Sequence, residues 1–413
     1  MLSRFARYVE KTWDFENVLA CIGDSRVSPR IPARSVWLSV FGMHALRLGS
    51  HNALGQQLKM PKRWEPWVGN RKPSVRTIER SMECMDIAGQ RDMLATTARA
   101  ARRKKVFRRL YPDVHWVGAL DGQEPYRSFK RCCPRCLTRE LTINGRPVIQ
   151  YYHRYVVLQL VGVVPALPLD TEPLMPGDTE ATAGLRLLRR FTRSNPRFLD
   201  VVTLDAFYLQ APFVLDVLEL GLTAQIILKQ ENRELYQDAQ GLYAITPHET
   251  IHAIGKEIRL WAVENLKSWK SLGRSVRVIR SLEKETVTER VAGKLTERVE
   301  ERDWQWVIIA PDGAEKVSPE IARRWGHARW DEETRGFGEL TQHWNLDHNY
   351  HHHPIAMLAN LMTLFLAFFL TTVFFDRNLK LPQREGRTRL HLSGLFMDDL
   401  VLRPYESFWG HPP

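Results

Sequence analysis

Apolar residues follow two different periods along the chain, and the expected structure changes where the period changes. The first 110 residues carry helical spacing. Val36–Leu48 (VWLSVFGMHALRL) is apolar all round, which predicts a buried helix. Pro73-Ser74 then opens a second helix, Val75–Ala88, with serine placed to cap it. At Val114 the spacing shortens. Val114–Gly122 (VHWVGALDG) reads as a short apolar strand ending on Asp121, and Leu137–Ile143 and Pro147–Val163 read as two strands joined through Asn144-Gly145, a strong hairpin turn. Helical spacing returns over Gly177–Arg193. Phe198–Leu204 (FLDVVTL) is then a strand ending on Asp205, Ala211–Leu220 a helix stopped by Gly221, and Thr223–Lys229 a further strand. Strands followed by alternating helices and strands predict a mixed α/β layer.

Residues 230–317 alternate polar and apolar positions in IRLWAVEN, SVRVIRSLEKETV and DWQWVIIA, the pattern of a half-exposed inserted sheet. A helix should start at Ser318, with serine as cap, Pro319 in the first turn and Glu320 at the positive helix end. Trp325, Arg329, Glu333 and Phe337 recur every four residues and so share one stripe. An acid on that stripe, one turn from an arginine, is either an ordinary i,i+4 ion pair or a metal-ligand carboxylate held by Arg329. Pro354–Phe375 (PIAMLANLMTLFLAFFLTTVFF) has no charge and is long enough to cross a bilayer, or to be a core helix.

Composition narrows this picture. A chain of 413 residues with 44% hydrophobic content can pack two or three domains. Lys and Arg exceed Asp and Glu by 59 − 47 = 12, and the pI is about 9.6, which favours a polyanionic partner, nucleic acid or a membrane surface. Arg99–Arg109 concentrates seven basic residues in eleven positions, among them Arg102, Arg103, Lys104 and Lys105. It is either a phosphate-binding face or a solvated one. Five cysteines make no disulfide framework and fit a reducing cytoplasm, and the charged N-terminus does not read as a secretory signal.

Asp121 and Asp205 both stand at carboxyl ends of apolar strands, where open sheets place ligands. A lone aspartate there is more often a cap. Two such acids with a third on a later helix, Glu333, can converge on a pair of Mg²⁺ ions for phosphoryl transfer.

With these residues in place, the chain resembles the DDE transposases of bacterial insertion sequences. The resemblance spans about Trp116 to Leu370 and rests on LDGQE around Asp121, YYHRYVVLQLVG at Tyr151–Gly162, MPGDTE at Met175–Glu180, VVTLDAFY around Asp205 and ARWDEETRGFGEL around Glu333. The last stretch is similar to the pattern R–W–x–I–E–x–x–x–F, aligning Arg329, Trp330, Glu333 and Phe337. The resemblance implies an RNase H-like mixed sheet flanked by helices, a β-rich insertion and a helical N-terminal domain. It implies metal-binding roles for Asp121, Asp205 and Glu333, with Mg²⁺ as cofactor and Mn²⁺ as a substitute, and an active-site or DNA-phosphate role for Arg329. It also favours Ala356–Phe375 as a buried helix, hence no membrane partner. Some positions depart from the pattern. Gly326 and Leu340 stand where related transposases have tyrosine and lysine, Glu332 stands where the pattern is apolar, and Asp331 and Glu339 crowd the acid. Gly336 and Gly338 would each weaken a helix by roughly 1 kcal/mol, so a kink is expected there.

The implied organisation is a basic helical region over 1–110, expected to bind DNA; a catalytic core over 111–229 and 318–380; the insertion over 230–317; and a tail over 381–413. Trp304 and Trp306 share a strand face, so they either stack on a base turned out of the DNA or pack within the sheet. Cys133-Pro-Arg-Cys136 has half the spacing of a zinc site and no second C-x-x-C. Zinc would need borrowed histidines such as His153, and packed thiols or a loop clasp is the expectation instead. His348 and His352 have the spacing of metal ligands on a helix, within a histidine-rich stretch expected to face DNA or link helices.

The function implied is DNA cleavage at the ends of a mobile element and strand transfer into target DNA. The protein would act in a bacterial cytoplasm on the nucleoid, as a dimer in the DNA complex. The alternatives are an RNase H-like nuclease or inactive relative that binds without joining, and a membrane-anchored basic binding protein.

Overall fold

The computed structural model describes all residues except 230, 232, 292–293, 332–335 and 403–413. Its N-terminal part is helical. The longer helices are α1 (Leu2–Trp13), α2 (Ala33–Ala45), α3 (Val75–Glu83) and α4 (Ile87–Arg103). Leu2, Phe5, Val9 and Trp13 form the buried stripe of α1 at three- and four-residue spacing. The helix expected over Val75–Ala88 is two helices. Ser74 caps α3 through Thr77 N–H, and Asp86 stops the run by accepting from Ala88 N–H at 2.9 Å to start α4.

The sheet begins with β1 (Val117–Ser128), followed by β2 (Leu137–Ile143), β3 (Arg146–Val161) and β4 (Leu167–Pro173). Asn144 and Gly145 both take positive φ, 51° and 75°, and close the β2–β3 hairpin as the Asn-Gly pair predicts. β3 is long enough to pair with β2 along its first half and with β4 along its second, while β1 runs antiparallel on its other side. Helix α5 (Glu180–Ser194) leads to β5 (Val201–Leu204), and α6 (Ala211–Glu219) leads to β6 (Thr223–Ile227). Both crossovers return parallel: β5 beside β1, and β6 beside β5. The order β4-β3-β1-β5-β6, three antiparallel strands and then two parallel ones, is the RNase H-like arrangement. β4 had no counterpart in the sequence reading, because Pro168 and Pro173 interrupt its pattern; an edge strand tolerates them.

The insertion extends this sheet. After α7 (Glu234–Tyr243), strands β7 (His248–Ala253), β8 (Lys256–Leu266), β9 (Val276–Val291) and β10 (Lys294–Ile309) form an antiparallel meander. The end of β10 pairs with β6, Trp306 opposite Ile227, so ten strands form one continuous sheet among the described residues. Helix α8 (Pro319–Ala328) crosses one face of it, over Val117, Ala119, Val201 and Trp306. α5, α6 and the N-terminal helices lie on the opposite face, around the main core.

After α9 (Gly338–Trp344), the apolar run forms α10 (Pro354–Arg377), buried throughout its most apolar stretch. It packs against the N-terminal helices α1 to α4 as well as the sheet, so residues 1–110 and 354–375 share one core. Its polar residues turn inward on the helix itself: Asn360, Thr363 and Thr371 each donate to the carbonyl four residues back, at 2.7–2.8 Å. The expected tail contains α11 (Arg389–Leu402), whose Leu392 and Phe396 are buried, with Phe396 against Phe5 and Phe375.

Phe369 is fully buried on α10 between the rings of Trp13 and Phe107. Phe369→Ala should therefore lower the free energy of unfolding by about 3–5 kcal/mol in denaturant titrations. The unaltered protein should stay in solution without detergent. Persistent sedimentation with membranes after a high-salt wash would contradict the burial of α10.

Candidate active site

The site is set by strand register. Leu120 on β1 pairs with Leu204 on β5 in parallel, which puts the next residues side by side: Asp205 just past the end of β5, and Asp121 inside β1, which runs on to Ser128 and does not end on Asp121 as its apolar pattern predicts. Residues at matching register point to the same face and lie about 4.8 Å apart across the strands. The two acids are held alike. Asp121 Oδ1 accepts from Gly122 N–H, and Asp205 Oδ1 accepts from Ala206 N–H, each at 2.7 Å. Asp205 in this way caps the short turn Ala206–Tyr208, while Asp121 remains within β1. No described side chain donates to Asp205.

Arg329 closes the arrangement from above. It ends α8, is 3% exposed, and donates from Nη1 to Asp121 Oδ2 at 3.1 Å. A buried guanidinium requires an anion, so this contact couples the helix to β1. Glu333, expected as the third acid, and its neighbour Glu332 lie outside the described residues. The chain resumes at Gly336 in a wide, π-type turn that precedes α9, in line with the expected kink. A Cβ on Gly336 would lie 2.3 Å from the amide of Gln159, a fully buried residue on β3 opposite Ala119. Only glycine lets the backbone come this close to the sheet.

Several contacts seat α8. Ser318 accepts from Ile321 N–H, Glu320 pairs with Arg323 and Arg324, and Trp325 Nε1 donates to Asp113 at 2.6 Å. Gln225, buried in β6, donates to Ala322 O at 2.7 Å. The glycine at 326 has a local cause: a Cβ there would lie 2.2 Å from the indole of Trp306. The insertion grips the same helix through Glu283 on β9. Its carboxylate meets His327 Nε2 at 2.6 Å, Arg323 at 3.1 Å and Lys256 at 2.8 Å. Burial pushes this carboxyl upward, but the bonds from His327, Lys256 and Arg323 outweigh it and hold Glu283 well below the usual carboxylate range.

The other expected site residues have mixed fates. Trp306 is 1% exposed beneath α8, so the expectation that it stacks on a base is corrected: it belongs to the core. Trp304 is only partly buried. It lies parallel to Trp306 and meets Trp330 and His327 edge-on, in a cleft of about 590 Å³ that also takes in Lys256, Arg302 and Arg324. The basic run divides. Arg102 donates to the carbonyls of Arg197 and Phe198 and lies over the Trp116 ring, and Lys104 bonds to Thr12 O; both fasten α4 to its surroundings. Arg103 and Lys105 are exposed.

Two residues near the acids went unread in the sequence. Glu180, the first residue of α5, pairs with Arg154 at 2.6 Å and accepts from Tyr208 OH at 3.1 Å, so it braces the turn that follows Asp205. Thr179 before it is a legible helix cap, but nothing along the chain ties Glu180 to Asp205. Phe207, half exposed on that turn, lies two residues past Asp205 with its ring edge-on to Tyr208.

No family model and no curated protein matches this chain. Among solved structures, it is similar to a piggyBac transposase synaptic complex with hairpin DNA determined by cryo-EM. The TM-score is 0.43 and the identity 12%, covering 98% of this chain and 80% of that one. A likeness of this size says nothing about the chemistry of this chain.

Glu283 allows a pH test. Its depressed carboxyl contributes stability that is present above the unfolded carboxyl value of about 4.3 and fades as the pH falls toward the lower folded value. Glu283→Gln should lower unfolding free energy by about 3 kcal/mol at pH 7, because it removes the buried negative charge that His327, Arg323 and Lys256 share. The gap between the two proteins should narrow below about pH 4. A gap independent of pH would show that the carboxylate charge is immaterial.

Proposed function

We propose that the protein is a transposase that nicks DNA at the ends of a mobile element and joins the freed 3′-hydroxyl to target DNA. The observation that carries this reading is the side-by-side placement of Asp121 and Asp205, with Arg329 reaching Asp121 from the helix that leads into Glu333. The net charge of +12 and the sequence resemblance to DDE transposases point the same way.

The donors suit a hard divalent cation: they are carboxylate oxygens, each carboxylate oriented by the N–H of the residue after it. Asp121 and Asp205, with Glu333 as third ligand, would hold Mg²⁺ or, in its place, Mn²⁺. Bound there, the metal would supply Lewis acidity toward the phosphate and lower the pKa of an attacking water. The side chains do the rest by position. Arg329 keeps the Asp121 carboxylate aligned and offsets negative charge where a phosphate must approach. Lys256, Arg302 and Arg324 line the cleft beside it with positive charge, and Trp304 offers a ring edge and face for an unpaired base. Arg103 and Lys105 add exposed charge for the DNA backbone. Two ends handled together call for a dimer in the DNA complex, which sedimentation with end DNA would measure.

The test uses purified protein and duplexes carrying the sequences that flank its coding region. Asp121→Ala, Asp205→Ala and Glu333→Ala should each reduce nicking and joining to background while end binding persists, since affinity comes mainly from basic side chains on phosphate. Arg329→Gln should slow the reaction by about 10–100-fold, as a partner one step from the metal. Glu332→Ala should stay active. Replacing Arg103 and Lys105 should flatten the salt dependence of binding by about 1 per contact. Cutting that survives loss of both aspartates would overturn the proposal. Cutting without joining would make the protein a nuclease.

A further inference from the structure

We infer a structural zinc site of the Cys₂His₂ class, built by Cys133, Cys136, His153 and His352. The four come from three separate stretches. Cys133 and Cys136 lie in the loop between β1 and β2, His153 on β3, and His352 in the segment joining α9 to α10. One ligand atom from each falls within 4.8 Å of all the others. Cys136 Sγ lies 3.7 Å from Cys133 Sγ, 3.2 Å from His153 Nε2 and 3.3 Å from His352 Nε2, and Cys133 Sγ lies 3.4 Å from His153 Nε2.

These are the edges of a small tetrahedron. With Zn–S of about 2.3 Å and Zn–N of about 2.0–2.1 Å, tetrahedral angles give S–S of about 3.8 Å and S–N of about 3.5 Å. Sulfur–sulfur contact at 3.7 Å is far from the roughly 2.05 Å of a disulfide. Three of the four close contacts converge on Cys136 Sγ, which as a thiol has a single proton to give. One cation at the centre satisfies them all.

The surroundings fit as well. Cys133 N–H donates to Cys136 Sγ at 3.2 Å, as backbone amides do toward thiolates. Zinc on His352 Nε2 requires the proton on Nδ1, which must then find an acceptor. Asn349 stands 3.2 Å from that Nδ1 through its amide nitrogen, while its oxygen is buried without a partner. Turning the amide by 180° presents the oxygen to Nδ1–H as its acceptor. Four protein ligands leave no open position, so the site is structural; two thiolates with two imidazoles select zinc over the hard ion proposed for the aspartates.

This differs from what the chain shows when read in order. Along the chain no second C-x-x-C accompanies Cys133 and Cys136, and the fold supplies the missing pair with His153 and His352, the latter 216 residues from Cys136. His348 does not join it: residues 345–353 are not helical, so the four-residue spacing to His352 has no meaning there, and His351 instead bonds Glu83 at 2.7 Å. The clasp would pin the connection between α9 and α10 to the edge of the sheet.

The experiment needs no DNA. The full chain, purified with zinc present, should carry one zinc by elemental mass spectrometry. Cobalt in its place should give thiolate-to-metal charge transfer and the intense visible bands of a tetrahedral ion. Cys136→Ser and His352→Ala should weaken zinc binding by about 100-fold or more, and Asn349→Ala by about 10-fold. Cys132→Ser and Asp121→Asn should keep the metal, which separates this site from the acidic one. If a ligand variant fails to fold, the cobalt spectrum of the unaltered chain decides. A chain without stoichiometric zinc and without thiolate–cobalt bands would overturn the site, as would undiminished zinc in folded Cys136→Ser and His352→Ala.

Discussion

Four parallel residue pairs between β1 and β5, from Val117–Val201 to Leu120–Leu204, are the constraint on which the rest of the molecule depends. They put two carboxylates at the same height, on the same face, where β5 ends beside the middle of β1. A slip of one residue would turn Asp205 toward the opposite face, into the core around α5. The pairing in turn needs the two helical crossovers that cover one face, and those need the core that α10 completes. Chemistry on one side of the sheet therefore rests on packing on the other.

The second layer of organisation is the approach of α8. It lies low on the sheet because Gly326 admits the Trp306 indole and because Gly336 admits the Gln159 amide further on. Between those two contacts the chain passes Arg329 and the residues expected to supply the last acid. Trp306 belongs to the insertion, and so does Glu283, which holds His327 and Arg323. The β-rich insertion is thus a buttress for the helix over the acids, continuous with the central sheet.

How much of this was readable along the chain depended on the range of the interaction. Local signals held up: Asn144-Gly145 as a hairpin, Ser318-Pro319 as a helix start, and an apolar strand ending before Asp205; the strand expected to end on Asp121 instead runs on to Ser128. Even the ambiguity of the apolar run was physical, because Thr and Asn residues that bond their own helix suit a lipid or a protein interior equally. What failed was whatever depended on a distant partner. Period two placed Trp304 and Trp306 on one face but could not say that a helix covers it. A run of basic residues could not reveal that Arg102 and Lys104 are occupied by carbonyl groups elsewhere. β4 hid behind its prolines, and the second pair of ligands for Cys133 and Cys136 is assembled only by the fold.

The union of α10 with the first hundred residues also sets an order of events during synthesis. Val36, Trp37 and Phe41 leave the ribosome early, yet part of what buries them begins at Pro354, 354 − 45 = 309 residues after the end of α2. At roughly 5–20 residues per second, that interval is on the order of 15–60 s. Throughout it, the early helices carry apolar faces with an incomplete core, a state prone to stick to chaperones or to other nascent chains. Contacts so distant in sequence also slow the final closure. A chain built this way would complete its core late in its own synthesis, and its yield would be set by how well it survives that interval.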